Sequence, residues 1–268
     1  MEIVTNFLVQ VLLSIGIIVI FGLLIAFCRR GFCAIVGYNG PKILLATGIV
    51  GTPIHELSHA LFCLIFGHKV VEMKLYLPNA PNGTLGYVNH SFNPRNLYHQ
   101  IGNFFIGIAP ILGGSGVLLL LMMWLTPETF ASVSDTLSAM PAFAGFDSIL
   151  VYLGALWEMI TLIFSPENFG MWQWWVFIVL ALMIASHMEL SGADIKGGIK
   201  GLLLLLLLIL IMDVILYFVA IDALPAVTFA MSTFGLYVAG FLLISAVFSL
   251  TLIVLALIFR GVAMLFGR

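Results

Sequence analysis

Long apolar runs separated by short polar breaks set the pattern of this chain. A bilayer core of about 30 Å calls for about 20 apolar residues per helix. Residues 7–27, 43–66, 104–125, 202–221 and 233–259 meet that length. The run 172–186 is shorter, but it can be extended through Leu190. Residues 142–164 are apolar apart from Asp147 and Glu158, so this segment spans, re-enters or lies on the interface. Between the second and third runs the period changes. Val71, Met73, Leu75 and Leu77 alternate with Glu72, Lys74 and Tyr76, which is the two-residue repeat of a strand. The cluster Pro78-Asn79-Ala80-Pro81-Asn82-Gly83 is a turn, and 84–89 can return as a second strand. The pattern predicts an all-α polytopic membrane protein of about six or seven transmembrane helices. A small membrane-associated β-hairpin at about 69–90 interrupts it, and residues 1–268 form one membrane domain.

Composition sharpens this picture. Of the 268 residues, 62% are hydrophobic and only 8% charged. A soluble domain carries about a quarter charged residues, so lipid must be the main solvent. The net charge of -2 adds little, and no basic patch points to nucleic acid. The run 7–27 is too long for a signal peptide. Glu2 is acidic where a signal is basic, and Arg29-Arg30 follow the run instead of preceding it, so it reads as an uncleaved anchor. Arg29, Arg30 and Lys42, then Lys196 and Lys200, then Arg260 and Arg268 all fall on the cytoplasmic side if seven spans start from a non-cytoplasmic N-terminus. The expected place is the cell membrane.

The chemistry lies in His55-Glu56-Leu57-Ser58-His59. In this H-E-x-x-H pattern the two imidazoles are four residues apart, on one helical face, where they can grip one metal ion. The Glu between them can act as general base on water. With 6 histidines in the chain, about 0.003 matches are expected by chance. The motif also sits in the middle of an apolar run, where ionisable groups are costly and usually functional. Nitrogen donors suit zinc, and a catalytic site keeps one position open. One protein ligand is then still to be found. Asp194, in Ser191-Gly192-Ala193-Asp194-Ile195-Lys196-Gly197, is the leading candidate; its alternative is a capping role. His187 lies seven residues earlier, on the same face if the helix continues, and is the alternative third ligand or a supporting group.

Other polar residues are assigned less chemistry. Asn103 either caps the third run or holds a substrate backbone. His68, His90 and His99 read as interfacial, and Cys28, Cys33 and Cys63 read as small buried hydrophobes without a zinc-ligand pattern. Asp213, inside the Leu-rich run, marks an ion path or pairs with a neighbouring polar group.

The string Pro53-Ile54-His55-Glu56-Leu57-Ser58-His59-Ala60-Leu61, followed by Gly67-His68-Lys69-Val70, resembles the active-site helix of the site-2 protease family of intramembrane metalloproteases. Gly86-Tyr87-Val88 and Ala109-Pro110-Ile111-Leu112-Gly113 are similar to later segments of that family. The resemblance covers about residues 50–200, and no PDZ-like segment is visible, so it implies a minimal form. It implies one Zn²⁺ per chain, His55 and His59 as ligands, and Glu56 as catalytic base. The family's third ligand is an Asp in a Leu-Asp-Gly or Pro-Asp-Gly setting. Here the setting is Ala193-Asp194-Ile195, with Gly197 three residues on. The expected activity is hydrolysis of peptide bonds in membrane or membrane-proximal substrates, with lipid as the surrounding partner. The competing classes are a metal or proton transporter and a non-catalytic metal-binding membrane protein.

Overall fold

The computed structural model describes residues 2–79, 83–140 and 146–265. The helix α1 (Glu2–Val11) runs through a short π-helical turn into α2 (Ile17–Val36). The chain breaks at Gly37, whose φ is 61°, and α3 (Gly40–Ile65) follows with Pro41 in its first turn. Strands β1 (Lys69–Lys74) and β2 (Tyr87–Ser91) then pair antiparallel, with Val70 opposite His90 and Met73 opposite Val88. The remaining helices are α4 (Leu97–Leu125), α5 (Pro127–Ser138), α6 (Phe146–Ile163), α7 (Trp172–Ala185), α8 (Gly192–Val219) and α9 (Leu224–Leu265).

Five helical stretches are long and apolar enough to cross a bilayer: Ile3–Ile65, Leu97–Leu125, Leu150–Gly170, Gly192–Val219 and Ile221–Leu265. The break at residues 37–39 divides the first into two limbs. With the shorter α7, the described residues supply six full-length limbs and one short one. The chain is thus a multi-pass, all-α membrane protein with a small two-stranded hairpin.

Two boundaries differ from the sequence expectation. The return strand begins at Tyr87 instead of residue 84, so the hairpin loop is longer than its turn cluster suggests; residues 80–82 of that cluster lie outside the described residues. Of the segment expected at 142–164, residues 142–145 lie outside the described residues and Phe146–Ile163 is helical. Most consequentially, α7 does not extend to Leu190. It stops at Ala185, and a turn follows.

The helix α4 is the central post, in contact with α3, α7, α8 and α9. Its Ser115 hydroxyl meets that of Ser245 on α9 at 2.7 Å, both fully buried. Phe177 of α7 and Phe248 of α9 meet edge to face, with centroids 5.3 Å apart. In the Leu-rich helix, Asp213 pairs with a polar neighbour: its Oδ1 accepts from Gln10 Nε2 at 3.0 Å, and both residues are fully buried. The run Leu202–Leu208 contributes no fully buried residue, as a lipid-facing surface should.

Phe248→Ala should therefore loosen the α7–α9 contact. In soluble proteins a buried Phe→Ala costs about 3–5 kcal/mol. In lipid the transfer part falls away and the lost packing remains, so a cost on the order of 2 kcal/mol is expected in detergent unfolding. The lipid-exposed Phe218→Ala should stay within about 0.5 kcal/mol.

Candidate metal centre

The H-E-x-x-H motif occupies the middle of α3, with His55 and His59 stacked one turn apart, ring centroids 4.9 Å from each other. A neutral imidazole has one N–H and one lone pair. At both residues Nδ1 faces a backbone carbonyl. His59 Nδ1 donates to the Ile106 oxygen at 2.7 Å, and His55 Nδ1 donates to the His187 oxygen at 2.7 Å. The proton is thereby committed to Nδ1, and both Nε2 lone pairs turn inward, 3.2 Å apart.

Each of those carbonyls is free for a local reason. In a regular helix the N–H of residue 110 would bond to the carbonyl of residue 106. Residue 110 is Pro110, inside α4, and it has no N–H to give. The carbonyl of Ile106 is therefore left for His59. The carbonyl of His187 lies past the last residue of α7, in the turn that follows Ala185. Arg29 of α2 holds that turn: its Nε donates to the Ser186 oxygen at 3.2 Å, and its Nη1 pairs closely with Glu189.

The third donor arrives from α8. Asp194 Oδ1 lies 3.3 Å from His59 Nε2, and its Oδ2 lies 3.8 Å from His55 Nε2. The two roles weighed for Asp194, capping and convergence on the histidines, are both present. Asp194 is the third helical residue of a capping box, in which Ser191 N–H donates to its Oδ2 at 2.7 Å and its own N–H donates to Ser191 Oγ at 3.1 Å. The cap fixes the carboxylate before any ion is considered. Close approach also requires Gly107 on α4, because a Cβ there would lie 2.7 Å from the Asp194 carbonyl oxygen.

His187 stands apart from this group. Since α7 ends, it does not share a face with Asp194. Its Nδ1 faces Met183 O at 3.1 Å and its Nε2 faces Leu44 O at 3.1 Å. It reaches the centre only through its backbone carbonyl. Asn103 does not cap α4; Asn96 does, accepting from Tyr98 N–H at 2.9 Å. Asn103 sits one turn and a half inside the helix and lines the same cavity as His55, Glu56, His59 and Asp194. That cavity has a volume of about 410 Å³, and residues of β2, among them Val88 and His90, form one wall.

His68 is buried within the protein. Its Nδ1 lies 3.0 Å from His90 Nδ1, and Cys63 completes a cluster with them. Burial pushes the His68 imidazole below its ordinary pKa. The His90 imidazole is lowered by burial first, then by His68 and His59. Sequence reasoning missed this cluster, although one signal was present: Cys63 follows His59 by four residues and so shares the face of His55 and His59.

The donors of the first group fit zinc. A tetrahedral ion at 2.0–2.1 Å from nitrogen has ligand–ligand edges of about 3.3 Å. The spacings of 3.2 Å between the two nitrogens and 3.3 Å from His59 Nε2 to Asp194 Oδ1 match that edge, and the other carboxylate oxygen lies 3.8 Å from His55 Nε2. Two inward lone pairs beside a carboxylate also leave an unmet demand for positive charge. The arrangement is a His-His-Asp group of the kind that can hold a metal ion, with an adjacent glutamate. Residues 48–169 match the model of a family described as "Putative zincin peptidase", which supports a zinc metallopeptidase. The match spans the H-E-x-x-H motif, the hairpin and α4, and ends before α7 and Asp194. No curated protein and no solved structure matches the chain.

Pro110→Ala tests the carbonyl link. Alanine at 110 restores the helix bond to the Ile106 oxygen and draws that oxygen away from His59. Loss of such a supporting bond typically lowers metal affinity about 10–100-fold. Zinc titration should show that fall while thermal stability in the absence of zinc holds or rises; unchanged affinity would remove Pro110 from the account.

Proposed function

We propose that this protein is an intramembrane zinc metallopeptidase of the site-2 protease kind, which hydrolyses peptide bonds in membrane or membrane-proximal chains. The observation that carries the proposal is the pair of imidazoles whose Nδ1 protons are taken by the Ile106 and His187 carbonyls, so that both Nε2 lone pairs converge on Asp194 beside Glu56. His55, His59 and Asp194 would hold the ion. Zinc bound there supplies Lewis acidity, which lowers the pKa of water to about 7 and polarises a carbonyl oxygen.

The rest is done by the chain's own groups. Glu56 is almost fully buried and lines the same cavity as the two histidines. It accepts a proton from the attacking water and delivers it to the departing amine, so that one C–N bond breaks, one C–O bond forms and the proton is conserved. The Asn103 amide lines the same cavity and can hold a substrate carbonyl or N–H.

A helical substrate hides its peptide bonds inside its own hydrogen bonds. The strand β2 on the cavity wall offers an edge on which a locally unwound segment docks by β-augmentation. The cell membrane, with a non-cytoplasmic N-terminus, is the orientation that places Arg29, Arg30 and Lys42 on the cytoplasmic side.

Two measurements on protein in proteoliposomes test the proposal. In metal analysis, His55→Ala, His59→Ala and Asp194→Ala should each lose one equivalent of zinc, whereas Glu56→Gln should keep it. With a library of synthetic hydrophobic helical peptides read by mass spectrometry, Glu56→Gln should lower the cleavage rate about 10²–10⁴-fold. Zinc flux that is insensitive to Glu56→Gln, with no cleavage by the wild type, would replace the peptidase with a transporter. For strand docking, a folded Val88→Pro variant should lose cleavage yet keep its zinc.

A further inference from the structure

We propose that Cys63, His68 and His90 form a second metal site, for a borderline-soft divalent ion of the zinc class, that fastens β2 to the end of α3. The site lies outside the His-His-Asp group and shares no residue with it.

Helix termination builds the first half. Gly67, with φ of 69°, lets α3 end in a Schellman motif: Gly67 N–H donates to the Leu64 oxygen at 3.2 Å, and His68 N–H donates to the Cys63 oxygen at 2.8 Å. The reversal folds His68 back beside Cys63. Pairing of the hairpin supplies the second half. Val70, two residues after His68, lies opposite His90, which brings the His90 ring over the same spot. One ligand atom from each of the three residues then falls within 4.8 Å of the others. Cys63 and His68 are 0% and 3% exposed, so two of the three donors are sealed from solvent.

The His68 ring is held in the orientation that ligation requires. Its Nε2 donates to the His99 carbonyl at 2.8 Å, which leaves the Nδ1 lone pair directed at His90 Nδ1, 3.0 Å away. The Phe92 ring stacks on it at 4.9 Å with planes only 12° apart, which fixes the ring's tilt. A carbonyl on the far nitrogen is how metal-ligating histidines are usually anchored, and it repeats the device seen at His55 and His59. With Zn–S near 2.3 Å and Zn–N near 2.0–2.1 Å, tetrahedral edges are about 3.3 Å between nitrogens and about 3.6 Å between sulfur and nitrogen. The observed nitrogen spacing lies close to the first value, and the 4.8 Å envelope accommodates the second. Three protein donors leave a fourth position for water. A thiolate with two imidazoles selects zinc or a similarly soft ion over calcium or magnesium.

The site has a structural consequence for the cavity. His90 belongs both to this cluster and to the wall of the larger cavity. A bound ion would lock the strand that carries His90 in register with the helix that carries Glu56.

Cobalt titration of the full-length protein in detergent distinguishes the two sites, because only the second contains sulfur. The wild type should take up two equivalents of Co²⁺ and develop a near-ultraviolet thiolate-to-cobalt band. Cys63→Ser should abolish the band and one equivalent. His90→Ala, a change on a half-buried strand residue that spares α3, should do the same. His55→Ala should lose one equivalent and keep the band, as should Cys28→Ser and Cys33→Ser keep both. If instead the wild type shows no band, or the band survives Cys63→Ser, the site does not exist and His68 and His90 share a plain N–H···N bond.

Discussion

A neutral imidazole carries one proton, and at His55 and His59 a backbone carbonyl claims it. Everything else at this centre follows from that commitment. Once Nδ1 is occupied, the only lone pairs left on the two rings face each other across 3.2 Å and face the Asp194 carboxylate. Neither ring can turn away without abandoning a hydrogen bond in a low-dielectric interior, where an unpaired buried polar group costs about 1–3 kcal/mol. The site is therefore pre-organised by backbone groups and a helix cap. A proline in α4 withholds an N–H, the turn after α7 offers its carbonyl, and a capping box at the start of α8 holds the carboxylate still.

The same demand for partners organises the protein around the centre. In hydrocarbon, polar groups are satisfied internally or not at all. Arg29 spends its guanidinium on the Ser186 carbonyl and Glu189, tying α2 to the turn that orients His55. Gln10 meets Asp213, and Ser115 meets Ser245, each pair joining helices far apart in sequence. Where side chains would keep helices apart, glycine removes them, as at Gly107 beside the Asp194 backbone. Stability and site geometry are thus drawn from one set of contacts, with α4 at their intersection.

Much of this was legible in the sequence. Apolar runs of about 20 residues mark helices because lipid allows few alternatives, and the helical period places His55 and His59 together without any tertiary knowledge. The hairpin showed itself through the alternation from Val71 to Leu77. What stayed hidden has a common cause: it depends on backbone groups and on where helices stop. Extension of α7 through Leu190 was compatible with its apolar pattern, yet the helix ends at Ala185, and His187 contributes its carbonyl instead of its ring. Asn103 looked like a cap because it opens the apolar run, but the helix starts at Leu97, one turn and a half earlier. Pro110 reads as a bend in any hydropathy scan; that its missing N–H frees a particular oxygen for His59 is visible only when α3 lies against α4. Cys63, His68 and His90 belong to a helix, a turn and a strand, and only folding gathers them.

The short α7 has a consequence of another kind. Its 14 residues rise about 21 Å, against a hydrocarbon thickness of about 30 Å. Such a hydrophobic mismatch is met by thinning of the surrounding bilayer or by snorkelling of flanking residues. One end is the turn bearing Ser186, His187 and Glu189, whose His187 carbonyl backs the His55 imidazole. The polar side chains and carbonyls of that turn thus lie next to a helix too short to shield them with hydrocarbon along a full bilayer thickness.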